Sequence, residues 1–449
     1  MAKRNILIIG AIGMDFHTFN EYYRDNSEYI VKCFTMAPNQ NLGTIHSEGG
    51  YIYPPKLAGD LYPSGIPIFK YDEIDKLIQQ YEIDEVIFAY SDVSYNEVMQ
   101  KAARCLSMGA NFKLISPRNT QITSSKPVIS ICAVRTGCGK SQASRKICHI
   151  LKEIGLRVVA IREPMPYGNL NEQVCQRFAQ YDDLKKCSIE EREEYEPYIE
   201  EGLVVYAGVD YAAILKEAEK EADIIIWDGG NNEISFYTPD LLIVLTDPLR
   251  PTAGTEFHPG EVNLRMADIV VINKENSAKP EDINYVRSQI HEANPKAIVI
   301  DADAPIFVEN AKMIKGKRVL VVEDGPTTTH GDMPYGAGMI AAMKYGAVEI
   351  VNPKPYAIGS IKSELDKYPH LDNILPAIGY SDKQIEELEI IINSVDADVV
   401  VSGTPIDLER FINVNKPIIR VKYSIEEKGS ITFQNILKKF IKDKEIFLT

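Results

Sequence analysis

The sequence has no CxxC pair. Its seven cysteines, at 33, 105, 132, 138, 148, 175 and 187, are odd in number and confined to the first half of the chain. They read as reduced thiols of a cytoplasmic protein rather than a disulfide framework. Histidine is also scarce, seven in 449 residues with no metal-ligand spacing, so no structural zinc site is expected. No apolar run approaches the ~18–20 residues of a membrane helix; those at 128–134 and 241–245 are strand-sized. The opening Met1-Ala2-Lys3-Arg4 leads into a short apolar stretch ending at Gly10, which reads as a first strand and not a signal peptide. Positive charge is in deficit, 49 Lys and Arg against 64 Asp and Glu, for a net −15 at pH 7. A field of that sign argues against nucleic-acid and membrane partners.

What is present is a globular composition, 45% hydrophobic and 25% charged, long enough for two to four domains at ~100–200 residues each. Short β-type runs alternate with helical patterns, which predicts α/β architecture with mostly parallel sheets. Strand-like runs at 5–10, 30–35, 85–90 and 112–115 give a Rossmann-like N-terminal domain over 1–124. A second unit, 125–315, opens with the run 128–134 and adds strands near 156–161, 223–227, 241–245, 268–273 and 297–301. Residues 316–449 form a C-terminal α/β region, either a separate domain or further strands on the second sheet, expected to carry substrate-binding loops. The acidic segment 189–201, IEEREEYEPYIEE, reads as a solvated helical face.

The sharpest signal is ISICAVRTGCGKS at 129–141. A strand, a glycine-containing loop, Gly-Lys-Ser and then a helical pattern make a P-loop, in which backbone N–H groups and a helix N-terminus meet phosphate oxygens. Val134 stands where the usual pattern has its first glycine. Arg135, Thr136, Gly137, Cys138, Gly139, Lys140, Ser141 and Gln142 are the nucleotide-binding candidates, with Lys140 reaching the β- and γ-phosphates and Ser141 ligating Mg²⁺. Arg135 stands where the P-loop class of dethiobiotin synthetase and ArsA often has a second lysine. It reads either as a catalytic charge clamp or as a loop arginine paired with an acidic neighbour. Asp228 ends the run DIIIWD and is the expected Mg²⁺ or water-organising acid, with Gly229, Gly230 and Asn231 following. Asn273-Lys274-Glu275-Asn276 approximates the guanine-reading Asn-Lys-x-Asp, but an amide replaces the final carboxylate; ATP is favoured, with GTP the alternative.

Polar groups at other strand ends are candidates for a second substrate. Arg162 follows the second strand of the nucleotide unit; His258 and Arg265 come later. In the C-terminal region a strand ends in Glu323 and Asp324, followed by Thr327, Thr328 and His330, a loop suited to cradle an anion while His330 moves a proton. Asp15 and His17 follow the first strand at a small-ligand site.

The segments GAIGMDFH (10–17), FAYSDV (88–93), AVRTGCGKS (133–141), WDGGNN (227–232) and VEDGPT (322–327) resemble, nearly end to end, the cyclic 2,3-diphosphoglycerate synthetase-like family of archaeal and bacterial P-loop GTPases and ATPases. The resemblance implies ATP-driven activation of a phosphate and ring closure. Lys140, Arg135, Ser141 and Asp228 would handle ATP and Mg²⁺, and an anionic substrate would meet Arg162, Arg265 and the 323–330 loop. The expectation is a Mg²⁺-dependent enzyme, a homodimer, that transfers phosphoryl from ATP to a small anionic metabolite or uses ATP to cyclise or ligate it. The rival expectation is a nucleotide-hydrolysing switch or chaperone acting on a protein partner.

Overall fold

The apolar runs lie in strands buried on both faces. In the computed structural model, which describes residues 3–10, 13–36, 51–163, 169–230, 233–329, 333–378 and 382–446, every residue of Val128–Ala133 and of Leu241–Thr246 is buried. Helices cover both sides of a parallel sheet, so its strands need no polar face; that is why these segments read as continuous apolar runs.

Three main sheets carry the described residues. The central sheet has nine strands in the order Gln176–Phe178, Val204–Ala207, Val158–Arg162, Ile224–Asp228, Val128–Ala133, Leu241–Thr246, Ile269–Ile272, Ile298–Asp303 and Glu426–Lys428. Only its two edge strands run antiparallel to their neighbours. The strand Val128–Ala133 lies between Ile224–Asp228 and Leu241–Thr246, which sets the end of each beside the loop at 134–139. Six strands make the N-terminal sheet, with Arg4–Ile9 between Tyr29–Thr35 and Glu85–Phe88. The third sheet is built around Arg318–Asp324, flanked by Val399–Ser402 and by Glu349–Ile350 and Leu375–Ala377. The chain then returns to the central sheet: Glu426–Lys428 pairs with its edge, and Phe433, Leu437 and Phe440 of helix Phe433–Asp443 enter its core. Among the described residues no helix is long and apolar enough to cross a membrane.

The acidic segment is not a solvated face. It forms helix Ile189–Glu200, started by a capping box in which Ser188 and Glu191 exchange bonds. Glu191, Glu193 and Glu196 are buried with Ile189, Tyr195, Tyr198 and Ile199. Burial is tolerated because the carboxylates find donors: Thr404 Oγ1 donates to Glu193 at 2.7 Å and the Asp407 N–H to Glu196 at 3.4 Å. The helix is thus a strut between the central and third sheets.

Val134, at the first position of the loop pattern, is buried, and its carbonyl meets the first residue of helix Gly260–Met266. A Cβ on Gly260 would stand 2.3 Å from the Val134 carbonyl oxygen. The close approach of two backbones therefore requires glycine at 260 rather than at 134. Gly260→Ala is expected to cost about 1–3 kcal/mol, the usual range for overpacking. Its thermal unfolding midpoint should fall and its nucleotide affinity weaken with it; an unchanged midpoint would reject this account.

Candidate active site

Three consecutive carbonyls of the loop are held from outside. Arg250 Nη2 donates to the Thr136 carbonyl at 2.7 Å, Lys274 Nζ to Gly137 at 2.7 Å, and Asn273 Nδ2 to Cys138 at 2.9 Å. In a trans peptide the carbonyl and the following N–H point to opposite sides. Pinning the Thr136 and Cys138 carbonyls outward turns the N–H groups of Gly137 and Gly139 toward the cleft those glycines line. Asp247, fully buried, binds Lys274 at 2.9 Å and Arg250 at 3.2 Å. Burial pushes its carboxyl up, but Lys274 and Arg250 outweigh burial and hold it below the ordinary range.

The cleft measures about 190 Å³ and runs from the loop to the third sheet. Thr136, Gly137, Gly139, Lys140, Ser141, Gln142, Arg162, Asn273, Lys274, Glu323, Asp324 and Thr328 line it together. Lys140 and Ser141 open helix Lys140–Glu153. Asp228 lies just behind, fully buried, where Tyr198 Oη donates to its Oδ2 at 2.6 Å. Arg162 Nη1 donates both to Asp228 Oδ2 and, at 3.2 Å, to Ser141 Oγ, while its Nη2 pairs with Glu194.

Other candidates lie elsewhere. Arg135 does not face the cleft: it pairs with Asp92 at 2.5 Å and its guanidinium lies 3.7 Å from the Phe257 ring centre, so of its two readings the structure displays the loop arginine with an acidic partner. Cys138 is buried beneath the loop. Asp15 is buried against Gly10, and His17 stacks on Phe236 at 4.0 Å. Burial lowers the His17 imidazole to about 3 and that of His258 to about 4, so both stay neutral near pH 7. His17 and His258 share a small cavity of about 30 Å³. Arg265 is half exposed in an ion pair with Glu261. Asn231 and His330 lie outside the described residues, and Thr327 belongs to the short helix Gly325–Thr328.

Sequence reasoning overlooked Glu193, Glu194 and Tyr198, all on the acidic helix; the capping box and the interleaved tyrosines were the available signals. It also cast the 323–330 loop as a cradle for a ligand's anion. Here the N-terminus of helix Ala337–Lys344 is already occupied by the Glu323 carboxyl group, which accepts N–H bonds from Gly336 at 2.9 Å, Gly338 at 3.1 Å and Met339 at 2.8 Å. Any Cβ at 336, 338 or 403 would stand within 3.3 Å of its carboxylate oxygens. Asn276 is engaged at both ends with Ala304: its Oδ1 accepts the Ala304 N–H at 2.9 Å and its Nδ2 donates to the Ala304 carbonyl at 3.3 Å.

The chain is 58% identical over 445 residues to arginine synthetase ArcE of Thermococcus kodakarensis, across 99% of this chain and 98% of that protein. It belongs to the ArcE family. A weaker likeness, 21% over 272 residues, joins it to the cyclic 2,3-diphosphoglycerate synthetase of the same organism, across 52% of this chain and 60% of that protein. The sequence resemblance thus holds in its broader form, while the relative matched end to end is the arginine synthetase. No family model matches the chain. Among solved structures, the LpxK of Aquifex aeolicus in complex with ATP aligns over 73% of this chain and 90% of its own, at 14% identity and a TM-score of 0.45. The hydrogenase maturation factor HypB of Archaeoglobus fulgidus aligns over 40% and 81%, at 16% and 0.25. As a member of the ArcE family the chain is a nucleotide-dependent enzyme of the ligase type.

Burial pushes the Glu323 carboxyl up from 4.5 to about 7, against the downward pull of its three backbone N–H bonds. Folded Glu323 keeps its proton through a range where the unfolded chain has released it. Its stabilising contribution is full below pH 4.5 and is lost as pH rises through 7. Relative to Glu323→Gln, the wild type should lose on the order of 3 kcal/mol of stability between pH 4.5 and 7.5. Denaturant titrations of both proteins across that range test this; parallel curves would reject it.

Proposed function

We propose that this enzyme uses Mg²⁺ and ATP to form arginine from its ureido counterpart, citrulline, and ammonia. The observation that carries the reading is the continuity of one cleft from Lys140 and Ser141 to Glu323, Asp324 and Thr328, in a chain of the ArcE family. Triphosphate and acceptor can meet there.

The chemistry follows from the product. Arginine differs from citrulline by a nitrogen in place of the ureido oxygen. That oxygen is a poor leaving group until it takes the γ-phosphoryl of ATP. Ammonia then attacks the central carbon, the carbon–oxygen bond breaks, and the oxygen departs with phosphate; the products are arginine, ADP and phosphate. Lys140 and the N–H groups of Gly137 and Gly139 hold the β- and γ-phosphates and neutralise the charge that shifts during transfer. Ser141 Oγ and the Asp228 carboxylate are a hard oxygen pair bridged by a single arginine nitrogen, and Asp228 Oδ1 has no hydrogen-bond partner among the described residues. This donor set fits Mg²⁺, which when bound draws charge from the phosphates. Asp324 and Thr328 lie on the acceptor's wall of the cleft, where their oxygens suit the N–H groups of a ureido or ammonium centre. The acceptor is a small metabolite whose carboxylate supplies the anionic group. Asn276 is committed to Ala304, which favours ATP over GTP.

The test is an assay of the purified protein with ATP, Mg²⁺, citrulline and ammonium, reading arginine and ADP. Equal yields of the two, each dependent on citrulline, are expected. Lys140→Ala should lower the rate about 10²–10³-fold, the scale of losing one preorganised charge stabiliser. ADP release indifferent to citrulline, with no arginine formed, would overturn the proposal.

A further inference from the structure

Arg162 occupies the space between the two oxygens assigned to the metal. It is buried, and one of its nitrogens binds both the Ser141 hydroxyl and Asp228 Oδ2. Mg²⁺ needs the same oxygens at about 2.0–2.1 Å, so guanidinium and metal exclude each other. Two atoms show that the arginine does not satisfy this place fully. Arg162 Nε and Asp228 Oδ1 are both buried, and neither has a hydrogen-bond partner among the described residues. A permanent buried ion pair is expected to use such donors and acceptors.

The structure also provides a partner for the displaced arginine. Glu194 already pairs with Arg162 Nη2, and both residues line the cleft. Four residues further along the same helix, Tyr198 holds Asp228 through its hydroxyl, so the carboxylate keeps its position whichever cation it faces.

We propose that Arg162 is the resident cation of the metal site. It neutralises Asp228 before nucleotide binds, and Mg²⁺ arriving with ATP or ADP displaces it onto Glu194. This rests on the reading of Ser141 and Asp228 as the metal's ligands, but not on the identity of the acceptor. Removing the guanidinium leaves Asp228 facing the cleft with no competitor, so metal binds more tightly. Neutralising Glu194 removes the alternative partner, so Arg162 is committed to Asp228 and metal binds more weakly. The two substitutions thus act in opposite directions, which general damage to the site does not produce.

The chain's single tryptophan, Trp227, is fully buried next to Asp228 and serves as a fluorescent reporter. Mg²⁺ is titrated against the full-length protein saturated with ADP, in wild type, Arg162→Gln and Glu194→Gln, with no acceptor present. The apparent Mg²⁺ affinity should rise about tenfold in Arg162→Gln and fall several-fold in Glu194→Gln, differences of the size expected for gaining or losing one buried charge partner. Thermal unfolding gives a second readout: Arg162→Gln should melt below wild type without metal and gain more from added Mg²⁺. Metal affinity that falls or stays unchanged in Arg162→Gln would overturn the proposal and leave Arg162 as a phosphate or substrate ligand. If the exchange is seen while no arginine is formed in the assay above, the exchange stands and the substrate assignment fails.

Discussion

Everything in the cleft depends on the outward pull on the carbonyls of Thr136, Gly137 and Cys138. A loop that binds phosphate must turn its N–H groups inward, and unaided it has no reason to prefer that orientation. Arg250, Lys274 and Asn273 impose it from the ends of two neighbouring strands, with buried Asp247 holding the two cations in place. Lys274 adopts a left-handed backbone with φ of 60°. That conformation costs a non-glycine residue on the order of 1 kcal/mol; its two Nζ contacts offset the cost.

The same loop is gripped from the N-terminal sheet. Asp92, also left-handed with φ of 59°, pairs with Arg135 and accepts the Thr136 N–H at 3.3 Å. Arg135 thereby ties two sheets together. A short ribbon in which Phe257–His258 pairs with Val93–Ser94 reinforces the tie and brings the Phe257 ring under the Arg135 guanidinium. The acidic helix supplies a corresponding tie on the other side, through Glu193 to Thr404 and through Tyr198 to Asp228. The loop at 134–139 therefore sits at the meeting point of all three sheets.

How much of this the sequence disclosed follows from the range of the forces involved. Six of the nine strands of the central sheet were legible as apolar runs; Gln176–Phe178, Val204–Ala207 and Glu426–Lys428 were not, the first and last being short edge strands with polar residues. Lys140, Ser141 and Asp228 could be singled out because each stands at a strand end within a fixed local pattern, and the structure brings them close together. Arg135 was legible as a loop residue, but which way it turned depended on Asp92, more than forty positions away. The acidic helix was misread because a run of glutamates has the same composition whether water or protein donors satisfy it. Glu323 was found, but its setting was not. Gly336 and Gly338 open one helix while Gly403 follows a strand some sixty-five positions on, and their convergence on one carboxylate is a property of the third sheet's packing.

Asn276 shows how one substitution at a recognition position changes what a site can select. A carboxylate there accepts two hydrogens from the edge of guanine, and it does so only while unpaired within the protein. An amide has a donor and an acceptor, the complement of a backbone N–H and C=O, and here both are spent on Ala304. Residue 276 therefore fixes the backbone at Ala304, which lines the cleft, and has nothing left with which to read a purine edge. Asn273 differs: its Nδ2 serves the loop, but its Oδ1 is buried without a partner among the described residues. A buried lone acceptor is costly to leave unsatisfied. Asn273 therefore spends its donor on the loop, while residue 276, which would need a free carboxylate to select guanine, has none to offer.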